Sequence, residues 1–208
     1  MGPASRVLPL VAMLALAGPA AAQDLTAAER DVLPRVLDVV QADIFPDTPG
    51  LETILLLHDE GESAADLVVL DRTQRTALLV ARGVVFSGGM GGQSPSLSAL
   101  PNGSLALDSQ QIGIGRTPWE QRLTLAFRDG ALRVAGLTYT AWDRLSTASA
   151  TCDVNLLGGG WTTAWTGEAG ADHTADGTDA TGAVPLDDWD MFALPTPCET
   201  ALRDAGMR

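Results

Sequence analysis

Between residues 51 and 165 the apolar residues of this chain never keep helical spacing for long. They come in short runs and two-residue alternations divided by turn chemistry. That pattern constrains the fold most, because alternate side chains of a strand point to opposite faces of a sheet and bury only one of them. The clearest case is Leu123, Leu125 and Phe127, which alternate with Arg122, Thr124 and Ala126 before a turn at Arg128-Asp129-Gly130 and a return run over residues 131–141. Asp-Gly supplies the positive φ angles of a tight hairpin. On the return run Leu132 and Val134 are followed by Leu137 and Tyr139. The parity flips between them and predicts a β-bulge at Gly136.

Residues 54–57, 67–70 and 77–80 read as further strands separated by polar turns. Residues 103–107 and 111–115 read as a pair turning at Asp108-Ser109-Gln110. A last hairpin runs over residues 152–157 and 161–165 around Gly158-Gly159-Gly160. Residues 24–41 read as a helix, with Val32, Leu33, Val36, Leu37 and Val40 as its apolar stripe and Pro34 as a start or a kink. Residues 166–182 are rich in Gly, Asp and Thr without periodicity and are expected as a mobile acidic loop; residues 200–207 can close the chain with a helical turn. The expected fold is mainly β (α+β): an N-terminal helix packed on a twisted antiparallel sheet of sequential hairpins, in a single domain over residues 23–208.

Residues 1–22 read as a cleavable signal peptide. One Arg precedes an apolar run of 12 residues (7–18), and Pro19-Ala20-Ala21-Ala22 ends in a small-x-small site, with cleavage expected after Ala22. The run is shorter than the roughly 20 residues a membrane span needs, so no stable membrane anchor is expected. The expected location is periplasmic or secreted. All 13 basic residues are Arg, beside 26 acidic ones. Without Arg6 the remainder carries 12 Arg against the same 26 acids, a formal charge of −14. Such a surface repels phosphate backbones, and no nucleic-acid partner is expected.

Cys152 and Cys198 are the only cysteines. In an oxidising compartment an isolated pair is most simply a disulfide, and neither sits in a CxxC pair or beside a group that would activate a thiol. Trp161 and Trp165 stand four residues apart and share one face of a regular strand, which makes them a candidate ligand platform.

The segment from Gly88 to Trp161 resembles a recurring pattern in uncharacterised secreted or periplasmic bacterial proteins. It is carried by GGMGG (residues 88–92), NGSL (102–105), Trp119, Phe127-Arg128-Asp129-Gly130, Trp142-Asp143-Arg144 and Asp153-Val154-Asn155-Leu156-Leu157-Gly158. The resemblance implies export and a β fold. Relatives of that kind often carry an upstream acidic loop similar to the calcium loops of FG-GAP repeats. The corresponding stretch here is degenerate: His58 stands at the first ligand position and Ser63 where Gly is usual, with Glu60, Glu62 and Asp66 as the remaining oxygen donors. Residues 172–179 fit an EF-hand frame poorly, since Ala183 falls where a bidentate Glu is needed. No cofactor is expected, and calcium is the one cation these loops bring into question.

No Gly-x-Ser-x-Gly elbow or HExxH pair is present, and His58 and His173 are the only histidines. The GGMGG loop lacks the Lys and helix of a phosphate loop. The expected role is that of an exported, soluble cell-envelope protein acting as a non-enzymatic binding or interaction module, for an envelope protein or a glycan. The alternative is a secreted, glycosidase-like hydrolase working through carboxylates such as Asp187 and Asp188.

Overall fold

The computed structural model describes residues 26–207 apart from 60 and 181. Residues 1–22, read above as a signal peptide, lie outside the described residues. The chain folds into two antiparallel sheets. The first has the order β1-β2-β3-β4, from β1 (Val36–Ala42), β2 (Glu52–Asp59), β3 (Ala64–Leu70) and β4 (Ala77–Phe86). The second runs through β5 (Ser96–Ala99), β6 (Leu105–Gln111), β7 (Trp119–Arg128), β8 (Ala131–Trp142), β9 (Ser149–Asn155), β10 (Trp161–Thr166) and β11 (Asp172–Gly177), each beside the next; β12 (Val184–Pro185) pairs with β8. Every pairing is antiparallel, as sequential hairpins require.

One continuous core lies between the sheets. Ile54, Leu56, Leu67 and Val69 of the first sheet cluster with Leu105, Leu107, Leu123 and Leu125 of the second, all of them fully buried. A smaller cluster forms where α2 (Thr196–Asp204) lies on the second sheet. Ala201, Ala205 and Met207 there meet Ala141, Ala148 and Ala150. The small residues let the helix approach closely, and the Cys152–Cys198 disulfide ties it to β9.

The Asp129-Gly130 hairpin forms as its residues require. Both have positive φ, 52° and 77°, and Arg128 pairs with Ala131 across a two-residue turn. The bulge on β8 is present one residue before Gly136. Thr124 pairs with Gly136 and Leu125 with Val134, which leaves Ala135 as the extra residue.

Three expectations give way. The helix α1 covers only Ala27–Val32 and leads through a short 3-10 turn into β1, so the apolar residues Val36, Leu37 and Val40 belong to a strand. Val32 and Leu33 remain about half exposed rather than covering a sheet. Pairing with β2 outweighs a local 3.6-residue pattern that Pro34 already interrupts. Asp108-Ser109-Gln110 is no turn: it runs straight through β6, where Asp108 pairs with Arg122 and Ser109 with Gln121. Within the segment 166–182, residues 172–177 are the edge strand β11, in full register with β10. An exposed edge strand needs no apolar alternation, and its charged residues discourage further pairing.

Candidate functional site

The inward face of the second sheet changes character along its strands. One cross-strand row is apolar: Leu97, Leu107, Leu123, Leu137 and Val154. The next row reads Ser109, Gln121, Tyr139, Cys152 and Thr163. The third reads Gln111, Trp119, Ala141, Ala150 and Trp165. The sandwich core thus ends in a polar and aromatic margin.

Trp119 and Tyr139 stack there with ring centroids 5.8 Å apart and planes 21° from parallel, and Phe86 of β4 meets Trp119 edge-on at 5.6 Å. A hollow of about 490 Å³ opens beside them, walled by Phe86, Met90, Ile114, Met191 and Phe192. Met90, Ile114 and Phe192 stand 52%, 44% and 72% exposed at its rim. The Gly-rich loop shapes that rim: Gly88 N–H bonds Gln93 O at 3.1 Å, and Met90 N–H bonds the Gln93 side-chain carbonyl, also at 3.1 Å. None of the residues lining the hollow is charged, although the chain carries 13 basic and 26 acidic residues. Trp119 and Tyr139 also line a second hollow, about 520 Å³, together with Glu199, Leu202, Arg203 and Met207 at α2.

Burial pushes the Tyr139 hydroxyl up to about 12 from its ordinary 10. The neutral form is favoured in the fold. Its contribution to stability is therefore present below pH 10 and lost as pH rises through about 12. Tyr139 is the only tyrosine, so phenolate absorbance reads it alone. A spectrophotometric titration should show ionisation near pH 12 rather than 10, and Trp119→Ala should return it toward 10. Ionisation near 10 in the unaltered protein would contradict the burial argument.

Trp161 and Trp165 do share a face, and with Thr163 between them they line a hollow of about 410 Å³ against Thr200 and Asp204 of α2. Both indoles are engaged within the edge hairpin. Trp161 donates its Nε1–H to Asp179 at 2.7 Å and lies over Gly177, where a Cβ would fall 2.6 Å from the ring. Trp165 stacks on His173 at 5.2 Å. Both rings therefore border this hollow while being held in place by the edge hairpin.

The acidic segments are likewise absorbed into structure. Asp59 accepts the Gly61 N–H at 3.0 Å in the tight β2–β3 turn. Asp66 is buried within β3, bonded to Arg82 and, at 3.0 Å, to the Gly83 N–H. Asp172 accepts from Thr166 Oγ1. Among the described residues no three His, Cys, Asp or Glu side chains converge as metal ligands.

The fold does bring His58 Nδ1 to 3.1 Å from Ser87 Oγ, but Ser87 is 1% exposed, which keeps a substrate carbonyl away from it. Asp187 and Asp188 sit exposed on a short 3-10 turn and line none of these three hollows. Asp143 is held down to about 2, first by its hydrogen bonds from Arg116 and then by the Leu145 N–H. A general acid needs the opposite shift.

No family model, curated protein or solved structure matches this chain.

The Trp119–Tyr139 site escaped the sequence reading, although part of it could be counted from the hairpin. A two-residue turn at Asp129-Gly130 followed by one bulge residue places Gln121 opposite Tyr139 and Trp119 opposite Ala141. The walls from residues 86–90 and 191–194 carry no such local signal.

Proposed function

We propose that this protein is exported, to the periplasm or beyond, and works as a non-enzymatic binding module that holds an uncharged, largely apolar ligand beside Trp119 and Tyr139. The observation that carries the reading is the uncharged aromatic hollow in so acidic a chain. Four of its ten aromatic residues, Phe86, Trp119, Tyr139 and Phe192, meet there. Ligand sites are concave, mostly apolar and marked by a few placed polar groups, and this hollow has that composition. Met90 and Met191 add unbranched, adaptable walls. Export is supported by the signal-like residues 1–22 and by the disulfide, a bond that persists in oxidising compartments. Among the described residues no helix is long and apolar enough to cross a membrane.

The test uses protein recovered from the periplasm, expected to begin at Gln23, titrated with Nile red as an uncharged apolar probe. One saturable site is expected, and Trp119→Ala should weaken it by about tenfold or more through loss of the stacking surface. Trp142→Ala, which does not line the hollow and falls on the opposite face of β8 from Tyr139, should leave it unchanged. Absence of saturable binding, or equal binding by Trp119→Ala, would overturn the proposal.

A further inference from the structure

The hollow at Trp161 and Trp165 shares no lining residue with the one beside Trp119 and Tyr139. It lies between the β10–β11 hairpin and α2. Each indole is fixed by the hairpin alone. Trp161 is backed by Gly177 and held by its Nε1–H bond to Asp179; Trp165 is backed by His173, 19° from parallel. Both rings are partly exposed and both border the hollow, so an entering group can reach them. Asp179, Thr196 and Asp204, which also line it, are exposed. Asp179 has one carboxylate oxygen on the Trp161 indole, which leaves the second open. Asp204 stands 3.7 Å from Arg203, too far for a hydrogen bond. No basic residue lines the hollow.

We infer that this hollow binds an uncharged glycan chain, with sugar rings against Trp161 and Trp165 and sugar hydroxyls donating to Asp179 and Asp204. Four residues along a strand separate the two indoles by about 13 Å at the backbone. One small flat group cannot reach both, whereas a chain of sugar rings presents a stackable face at each end of that span. A lone cation would need both rings around one point, and the strand keeps them apart. Between them Thr163 is 5% exposed and its hydroxyl already lies on the Ala175 carbonyl at 3.4 Å, so polar recognition falls to the rim. The rim carboxylates accept hydrogen bonds and cannot donate. Sugar hydroxyls donate to them, while a peptide would turn its backbone carbonyls toward oxygen. Two carboxylates without a basic neighbour also repel phosphate, sulfate and uronate. Because the rings are ordered beforehand, binding forgoes little side-chain entropy.

The experiment titrates the full protein calorimetrically with N-acetylchitohexaose, cellohexaose and maltohexaose, neutral chains of three linkages. At least one should bind at a single saturable site. The disaccharide of the same linkage reaches one ring only and should bind about tenfold more weakly. Trp165→Ala should bring the hexasaccharide down to about the disaccharide's affinity. Asp204→Ala alters an exposed residue and leaves the core untouched; it should weaken the hexasaccharide about fivefold without moving the melting temperature. No saturable binding of any of the three chains would overturn the inference, as would equal affinity for disaccharide and hexasaccharide. Binding of tetramethylammonium with none of the three chains would assign the hollow to a cation instead. Nile red binding beside Trp119 is a separate readout, so failure here leaves that proposal standing.

Discussion

Removing the Cys152–Cys198 disulfide, by reduction or by the double substitution Cys152→Ala and Cys198→Ala, is expected to lower the melting temperature by about 8–15 °C. Both sulfurs are buried, with Cys152 2% and Cys198 0% exposed. The bond spans 46 residues, and closing a loop of that size restricts the unfolded chain by about 4 kcal/mol as an upper-end figure. For a domain of this length each kcal/mol moves the midpoint by about 2–4 °C. The native side of the balance points the same way. Ala201 of α2, with Ala205 and Met207 just after it, packs on Ala141 of β8, Ala150 of β9 and Ala148 between them through small contacts. Release of the helix would remove one wall of the hollow it lines beside Trp119 and Tyr139. Thermal unfolding followed by circular dichroism, with and without reductant, checks this. A midpoint shift of less than about 2 °C would show that packing alone holds the helix.

The second large effect is expected at Asp66. Its carboxylate is 1% exposed and lies where β4 departs from the β3 register. Ala65 pairs with Val85 and Leu67 with Ala81, which leaves Arg82, Gly83 and Val84 opposite Asp66. Gly83 turns there with φ +58°, and its N–H is bonded by Asp66 at 3.0 Å. Arg82 bonds the other carboxylate oxygen, and Arg35 stands 3.9 Å away. Asp66→Ala removes charge-assisted bonds from a buried backbone donor and should cost about 2–3 kcal/mol, a fall of roughly 5–10 °C. Asp66→Asn retains an acceptor for Gly83 and should lose about half of that. Arg82 is 69% exposed on its side chain, so Arg82→Ala should cost less than about 1 kcal/mol. Equal losses from Asp66→Ala and Arg82→Ala would show that the ion pair matters and the bulge does not.

Asp66 also shows why the acidic loop reads differently in sequence and in space. As a string, residues 58–67 resemble a cation loop that has lost part of its ligand set. In the fold the carboxylate of Asp66 is bonded by Arg82 of the neighbouring strand, and Asp59 accepts the Gly61 N–H.

Strand order and turn chemistry were legible wherever neighbouring residues decide them. Asp129-Gly130 specifies its hairpin through two positive φ angles, and the parity change around Gly136 announces a bulge within one residue of its true place. The short runs of β2, β3 and β4 were legible for the same reason. With only two cysteines there was a single intramolecular pairing to consider, and it is the one that forms.

Everything that depended on a distant partner was settled only by the tertiary structure. Residues 36–42 carry an apolar spacing that suits a helix, yet they form β1 because β2 pairs with them along the strand, past a bulge at Leu37. Residues 172–177 have no apolar pattern at all, yet they form β11 because β10 presents a free edge and solvent tolerates their polar side chains. Trp161 and Trp165 share a face as their spacing requires, but the contacts of those rings with Asp179, Gly177 and His173 depend on a strand the sequence did not announce. The candidate site is the extreme case. Gln121, Trp119 and Tyr139 come from one hairpin, while Phe86, Met90, Met191 and Phe192 reach it from segments far apart in the chain. Local sequence determines which way each strand turns and which face it buries; which surfaces then meet is decided by packing between residues that no local pattern connects.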